Sequence, residues 1–407
     1  MIIRTLVQCN SCHEKSIFRF SIGLSRVGQF TCACPNCNIQ LRGDFKIDNA
    51  PQPNFTANSD DFQTLHGKQE LLNDKYPILT LHTELPVHKE RHKNSLIEGG
   101  SPFLWLSKQM DDFIEFKERV DAIDKIKVSF APLVKRLTSY AETENWQIIK
   151  DEFIKLEIPE ICKESTEEQV IYLFYRFLNT TFVPLLEMDK MVEISDEYFV
   201  YLNDCLDNKK EKYSLLIKRF VQDHSFNSFK LKVFETHFRA IENYYAYIPG
   251  FAYEYFSSTA QKDINDYRVY RDDFNLIKSL YLDIFELLSR MLFYLGCIVN
   301  LSIRNDYRIY STGMIKSQKF KKMPAYDKMF VLDELPKLKN FINNVQRPLR
   351  NDIGHFNVRY DFRKGVLAYD DGTEQNYINF LKFVLDAVRS LWFVIVLTEK
   401  IELDLRR

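Results

Sequence analysis

The chain has 407 residues, of which 45% are hydrophobic and 27% are charged, and its formal net charge is −1. This composition excludes a disordered chain, and any contact with nucleic acid must come from a local patch of charge. With 33 Phe, 22 Tyr, 12 Gly and 13 Pro, we expect a mainly α protein with two or three cores. No apolar segment after Met1 resembles a secretory signal, and the apolar run 391–397 is too short to span a membrane.

Five of the eight cysteines lie between residues 9 and 37, and four of them form two Cys-x-x-Cys knuckles. Two knuckles at this separation are typical of a zinc ribbon, in which a hairpin between them brings four thiolates into a tetrahedron. The predicted ligands of one structural Zn²⁺ are Cys9, Cys12, Cys34 and Cys37. Cys32 and His13 are the alternative ligands. The metal site either stabilises a module too small to fold alone or serves to recognise nucleic acid or protein.

Clustered cysteines favour a metal site in a reducing compartment, so we expect a cytoplasmic protein. The outlying Cys162, Cys205 and Cys297 are expected to be small buried hydrophobes. Residues 39–47 and 76–85 have the pattern of strands, and residues 49–61 that of a loop or linker. His82, His88 and His92 lie near one another among charged residues. They could form a second metal site, but no helical or hairpin spacing unites them, so we expect them to be solvated.

Helical periodicity begins near residue 103, and an amphipathic helix is expected over about 113–126. Residues 165–168 have the form of a capping box before an apolar run, and further helices are expected over 192–222 and 227–247. The aromatic stretch 244–255 is expected to be core and to break at Pro249-Gly250.

The C-terminal block is expected to begin near Asp272-Asp273 with a long apolar helix through Asn300. A polar loop over 303–323 precedes a second helix at about 325–346, and Pro348 fits the first turn of the next helix. Residues 358–369 have the pattern of a hairpin, followed by a helix from about Glu374 to Leu403. The expected domains are therefore 1–100 (β module), 101–265 (helical middle) and 266–407 (helical bundle with a β-hairpin insertion).

Arg350, Asn351 and His355 lie together between the second and last helices of this block. The pattern Arg-Asn-x-x-x-His combines a permanent cation, an amide and a group that transfers protons near neutral pH. These groups suffice to cut a phosphodiester without a metal ion. A second Arg-x4-His match, Arg219 to His224, has Phe220 after its arginine and lies in mid-chain, so we interpret it as a background match.

The Arg350-Asn351-x-x-x-His355 segment resembles the signature of the HEPN superfamily, whose catalytic members are ribonucleases with an Arg-x(4–6)-His motif. The resemblance covers about residues 266–407 and implies a helical bundle that dimerises with its motifs facing each other. It also implies metal-independent RNA cleavage, often in toxins and antiviral abortive-infection systems. A hairpin after His355 departs from a minimal bundle.

Helix geometry gives an independent reason to expect a homodimer. Five helical steps place Arg350 and His355 about 140° apart around an axis and about 7.5 Å along it. Either Gly354 distorts the helix, or a second copy completes the site across a two-fold axis. The basic residues expected to hold the RNA backbone are Lys316, Lys319, Lys321, Lys322, Arg359, Arg363 and Lys364.

The sequence thus predicts an endoribonuclease with an N-terminal zinc ribbon, regulated by a phage-derived trigger or an inhibitory partner in an antiphage or toxin setting. The setting is implied by the resemblance alone. The alternative is a non-catalytic dimer whose ribbon binds nucleic acid or protein, with the bundle used only for dimerisation.

Overall fold

The computed structural model confirms a mainly α chain with a β region at its N-terminus. It describes residues 2–406 outside the following gaps: 22–26, 49–53, 66–75, 83–84, 89–106, 223–224, 259–260, 262, 272, 309–321, 324–327, 329–331, 343–344, 346 and 355–356. Within these described ranges, no helix combines the length and the apolar character that a bilayer crossing requires.

The chain divides into two compact units, and each unit is assembled from three separated segments. The first comprises Met1–Asp124, Asn243–Lys278 and Asn351–Leu385. The second comprises Lys125–Glu242, Ser279–Arg350 and Asp386–Arg407. The domains expected from the sequence, 1–100, 101–265 and 266–407, are contiguous and divide the chain where the predicted secondary structure changes. Their boundaries differ from those of the compact units.

Most strands of the first unit lie in the N-terminal region, where alternating apolar residues favour extended backbone. These strands are β1 Ile2–Cys9, β2 Lys15–Ser21, β3 Val27–Ala33, β4 Gln40–Asp48, β5 Asn54–Asn58, β6 Phe62–Leu65, β7 Ile78–Leu81 and β8 Val87–His88. One sheet has the order β6-β1-β2-β7, with β7 parallel to β2, and a second has the order β3-β4-β5. β8 pairs with β9, Tyr267–Arg268.

The prediction of a loop over residues 49–61 was wrong at β5, which pairs antiparallel with β4 and sets Ala57 opposite Phe45. Composition alone favoured a loop, but the exposed edge of β4 supplies backbone partners that override it. In the same sheet Phe30 lies opposite Gly43, and a Cβ at Gly43 would lie 2.6 Å from the Phe30 ring. Glycine therefore leaves room for a ring of the core.

The core of this β region is aromatic. The Phe18, Phe20 and Phe30 rings are almost fully buried, and their centroids lie 5.1–6.2 Å apart at steep angles. Such edge contacts stabilise a core beyond the area they bury. Tyr270, from a distant part of the chain, completes this cluster, so the β region packs with later residues of its unit.

The first unit also contains α1 Phe113–Lys125, as predicted, and α8 Tyr244–Glu254. Most aromatic side chains of α8 are buried as expected, although Tyr245 is only half-buried. The predicted break is wrong, because Pro249 lies inside the helix. A Cβ at Gly250 would lie 2.7 Å from the backbone of Leu381. Close packing of that backbone on Gly250 stabilises the helix despite the hydrogen bond that proline removes.

The second unit is helical. It begins with a short π-helix, Ile126–Phe130. The α-helices that follow are α2 Ala131–Glu142, α3 Trp146–Lys155, α4 Glu167–Thr180, α5 Met188–Asn208, α6 Lys210–Gln222 and α7 Ser225–Glu242. The capping box of α4 lies one residue later than predicted: Thr166 and Gln169 exchange both hydrogen bonds, while the Ser165 hydroxyl accepts from the Cys162 N–H. The predicted helix over 192–222 is two helices that meet at Lys209.

Two long helices contribute residues to both units: α9 Phe274–Arg304 and α12 Tyr377–Leu405. Of the helix predicted at 325–346, the described residues contain a shorter α10, Pro336–Ile342. α11, Arg347–Gly354, begins one residue before Pro348, as its placement predicted.

The predicted hairpin after α11 is confirmed. β10 Val358–Asp361 pairs with β11 Val366–Tyr369, and Val358 lies opposite Tyr369. Residues 374–376, expected to open the last helix, instead form a third strand, β12 Glu374–Asn376, on the edge of β11. The Asn376 side chain then accepts a hydrogen bond from the Ile378 N–H at the start of α12, which sets where the helix begins.

Candidate metal centre and nuclease motif

Each Cys-x-x-Cys knuckle is the turn of its own hairpin, and the two turns have the same backbone pattern. The Cys9 carbonyl accepts from His13 N–H and the Cys34 carbonyl accepts from Asn38 N–H, each at 2.9 Å. His13 and Asn38 both adopt left-handed backbone, with φ of 59° and 60°. Such a turn places the two thiols of a knuckle on the same side, as metal ligands require.

The two knuckles bring four sulfur atoms together. The Sγ atoms of Cys9, Cys12, Cys34 and Cys37 all lie within 4.8 Å of one another. Cys9 Sγ is 3.9 Å from Cys37 Sγ, and Cys12 Sγ is 3.8 Å from Cys34 Sγ. A tetrahedral ion with metal–sulfur bonds of about 2.3 Å sets its sulfurs about 3.8 Å apart. These cysteines can therefore hold one metal ion.

The predicted hairpin between the knuckles is wrong, because β2 and β3 belong to different sheets. The alternative ligands are not part of the group of metal-ligating side chains that the described residues form. Cys32 is fully buried in the aromatic core, and its burial raises the pKa of its thiol. His13 is exposed beyond the first knuckle.

The four cysteines differ in environment. Cys34 is buried, and its burial raises the pKa of its thiol to about 12. Cys37 is exposed, and a hydrogen bond from the Ile39 backbone lowers the pKa of its thiol. Cys37 therefore marks the side of the cluster from which solvent, chelators or oxidants arrive.

Other sequence predictions about cysteines and histidines had mixed outcomes. Cys205 and Cys297 are buried as expected, but Cys162 is exposed in the turn before α4. His82 is not solvated: it is 1% exposed, and burial lowers its pKa to about 3. Its Nδ1 accepts from the Leu85 N–H at 3.1 Å. His88 packs edge-on against Tyr267, and His92 lies outside the described residues.

The first residue of the Arg-Asn-x-x-x-His segment is Arg350. It lies on α11, between the buried side chains of Leu349 and Ile353, and its own side chain is 34% exposed. Arg350 donates to Glu286 Oε1 at 3.0 Å, and its guanidinium lies 5.7 Å from the centroid of the Phe285 ring. This arrangement presents a cation at the surface on a rigid support.

Asn351 is the next residue of α11 and is partly exposed. The Asn357 N–H donates to the Asp352 carbonyl at 2.9 Å, the bond that commonly closes a helix end. The chain has therefore left the helix by Asn357. α11 ends at Gly354, so the described residues do not establish the ideal-helix separation of Arg350 and His355 that favoured a dimer. His355 lies outside the described residues, as does His224 of the rival match.

The basic residues expected to hold RNA are spread over both units. Arg359 on β10 and Lys322 are exposed. Arg363 lies in the hairpin turn and donates to the carbonyl of Asn38 at 3.1 Å, while Lys364 pairs with Glu374. Lys316, Lys319 and Lys321 lie outside the described residues.

The second unit contains a cleft of about 380 Å³ with apolar walls that include Leu185 and Phe341. Three cations line it, each beside a carboxylate. The pairs are Lys190–Glu187, Lys337–Glu193 and Arg389–Asp386. Such balanced charge does not suit a polyanion, and no predicted site residue lines this cleft.

No family model, curated protein or solved structure matches this chain. The chemistry of its side chains must therefore carry any assignment of function.

Proposed function

We propose that the protein is a metal-independent endoribonuclease whose site contains Arg350, Asn351 and His355. The observation that carries the proposal is the position of Arg350. It is a half-exposed cation on a short helix, followed at once by an amide and five positions later by a histidine. The resemblance of this segment to the HEPN signature supports the same chemistry.

The reaction follows from these groups. His355 takes the proton of a ribose 2′-hydroxyl, and a proton is given to the leaving 5′-oxygen by His355 itself or by the His355 of a second copy. The 2′-oxygen attacks phosphorus and the P–O5′ bond breaks, which leaves a 2′,3′-cyclic phosphate and a 5′-hydroxyl. Arg350 stabilises the charge that grows on the phosphoryl oxygens. Asn351 orients the histidine or the phosphate.

Product analysis tests this chemistry. Purified protein in magnesium-free buffer, with short exposure to EDTA, should cut single-stranded RNA to 2′,3′-cyclic phosphate ends. It should spare DNA of the same sequence, which lacks the nucleophile. Cleavage that requires magnesium, or that yields 5′-phosphates, would overturn the mechanism.

We also propose that the four-cysteine cluster holds structural Zn²⁺. The sulfur separations support a tetrahedral ion, and four thiolates favour zinc over harder cations. The metal would staple two hairpins whose own core is small. Its ligands are remote in sequence from the nuclease motif, so the reaction above passes no step through it.

A homodimer that completes the site belongs to the same proposal, as do a cytoplasmic location and a phage-derived trigger or inhibitor. The mass of the full chain in solution tests the dimer. Light scattering should give twice the chain mass, and a monomer that cleaves RNA would rule out a composite site. The isolated segment 266–407 is unsuitable, because its residues belong to two units.

One observation favours the non-catalytic alternative. Arg350 already pairs with a carboxylate of its own unit, Glu286, and a paired arginine can serve structure alone. Salt-sensitive RNA binding without cleavage would favour a binding protein over a nuclease.

A further inference from the structure

The hairpin that follows the nuclease motif contacts the second cysteine knuckle. Arg363, in the turn between β10 and β11, donates from Nε to the carbonyl of Asn38 at 3.1 Å. Asn38 follows Cys37, the exposed member of the cluster, and closes its knuckle in left-handed backbone. All of these residues belong to the first unit.

The turn that carries Arg363 is held in one conformation. The Asp361 carboxylate accepts from the backbone N–H groups of Arg363 and Lys364, at 2.9 and 3.3 Å. Gly365 has a φ of +70°, and a Cβ there would approach Arg268 Cβ to 3.0 Å. The backbone of Arg363 is therefore held in a defined turn, which positions its side chain for the contact with the second knuckle.

The other end of the hairpin is tied to the motif segment. The Asp370 N–H donates to the Asn357 carbonyl at 3.0 Å, and Asn357 N–H donates to the Asp352 carbonyl at 2.9 Å. His355 lies between Asp352 and Asn357 in the chain. A continuous path thus joins the second knuckle, through Arg363 and the paired strands, to the residues that flank His355.

A second path runs through residues 267–270. The Thr31 N–H, on β3, donates to the Tyr270 carbonyl at 3.0 Å. The Tyr360 hydroxyl, on β10, donates to the Val269 carbonyl at 3.2 Å. β3 ends at Ala33, directly before Cys34. Both strands are therefore hydrogen-bonded to one short segment, which gives a second connection between the second knuckle and the hairpin.

From these contacts we infer that metal occupancy of the four-cysteine cluster sets the order of the hairpin, with Arg363 as the connecting residue. A divalent ion with four thiolates carries a net charge of −2, and the Arg363 cation lies beside the knuckle that contains the exposed ligand. If the hydrogen bond from Arg363 to Asn38 forms only when the knuckle is ordered, it stabilises the hairpin and the metal-bound knuckle by the same free energy. Loss of the metal would loosen the hairpin, and loss of Arg363 would loosen the metal.

The inference rests on the proposed function only for what the motif segment does, since the coupling itself is measured without RNA. In zinc-loaded full-length protein, the rate of zinc transfer to a colorimetric chelator is compared among variants. Arg363→Ala should release zinc about threefold faster or more, because the contact is a charge-assisted hydrogen bond. Lys364→Ala is the matched control: it removes the same charge from the same turn but leaves the knuckle contact.

Hydrogen exchange tests the reverse direction. Removal of zinc should speed amide exchange in residues 358–369, while residues 146–155 of the second unit keep their rates. In Arg363→Ala the hairpin should exchange faster with zinc bound and respond less to its removal, and Arg363→Lys should restore part of the response. Equal zinc release from the Arg363→Ala and Lys364→Ala variants would overturn the inference, as would hairpin exchange that ignores zinc. Loss of ribonuclease activity alone would bear on the proposed nuclease site and not on this coupling.

Discussion

Arg350 donates a 3.0 Å hydrogen bond to Glu286, and the two side chains are 34% and 57% exposed. An ion pair this exposed contributes only about 0–1 kcal/mol, because water screens it and ordering its long side chains costs entropy. A phosphate can therefore replace Glu286 at little cost. This weak pairing is compatible with the proposed role of Arg350 in binding an RNA phosphate.

Replacing Glu286 with glutamine should strengthen RNA binding, because the variant removes an anion that competes for Arg350. The apparent Kd for a short RNA should fall by about two- to fivefold, the equivalent of one surface ion pair. Fluorescence anisotropy with His355→Ala as the background avoids cleavage during the titration. Glu187→Gln, which breaks the exposed pair with Lys190, is the control for net charge. An equal gain in both variants would show that Arg350 has no special part in RNA binding.

The zinc prediction distinguishes Cys34 from its neighbour Cys32. Wild-type protein should carry about one zinc per chain, and Cys34→Ser or Cys37→Ser should lose it and destabilise the first fifty residues. Cys32→Ala should keep its zinc, since Cys32 lies in the core and not in the cluster. Mass spectrometry of the native protein gives the metal content. Zinc retained in both serine variants would exclude this ligand set.

A buried ion pair in the second unit should matter far more than surface pairs. Lys230 and Glu402 are 4% and 2% exposed, lie 3.0 Å apart, and Glu402 also accepts from the Tyr175 hydroxyl at 2.5 Å. Lys230→Met should lower the free energy of unfolding by about 1.5–3 kcal/mol, because it removes a charged hydrogen-bond partner of the buried Glu402 carboxylate and leaves only Arg406, 3.5 Å away, as its cation. Urea denaturation measures this. Lys190→Ala, at an exposed pair, should cost under about 1 kcal/mol, and similar losses in the two variants would contradict the prediction.

His237 should make stability depend on pH. Burial lowers the pKa of His237 to about 3, against 6.5 unperturbed, and the ring lies between Thr181 and Phe182. Below pH 6.5 the histidine binds a proton in the unfolded chain but not in the folded chain. The free energy of unfolding is therefore highest above pH 6.5 and falls as the pH is lowered toward 3. The slope from this residue is about 1.4 kcal/mol per pH unit. His237→Gln should flatten the dependence of unfolding free energy on pH by about that amount, and an unchanged slope would show that His237 does not titrate as described.

Local sequence signals predicted the elements whose partners lie nearby in the chain. The Cys34-Pro-Asn-Cys37 knuckle and the hairpin over 358–369 are such cases, since a turn and its flanking residues contain the information that forms them. The knuckle spacing also identified the four sulfurs that the fold brings together.

Elements that depend on distant partners were missed. β5 forms because β4 offers an edge, and Pro249 stays inside a helix because Gly250 packs against the Leu381 backbone. His82 looked solvated among charged neighbours, but its burial comes from packing that the local sequence does not reveal. Each unit is built from three separated segments, which depends on contacts between residues far apart in the chain. The contact of Arg363 with Asn38 joins positions 325 residues apart.

Cleavage of RNA by matched variants tests whether Arg350 and His355 form a ribonuclease site. Single-stranded RNA is incubated with the wild type and with the Arg350→Ala, His355→Ala and His224→Ala variants. Each variant is first checked to have the zinc content and the melting temperature of the wild type. Removing a proton-transfer group or a charge stabiliser typically costs about a hundredfold or more in rate. We expect Arg350→Ala and His355→Ala to lose cleavage while His224→Ala keeps near wild-type rates. Cleavage by His355→Ala at the wild-type rate, with His224→Ala inactive, would contradict this expectation.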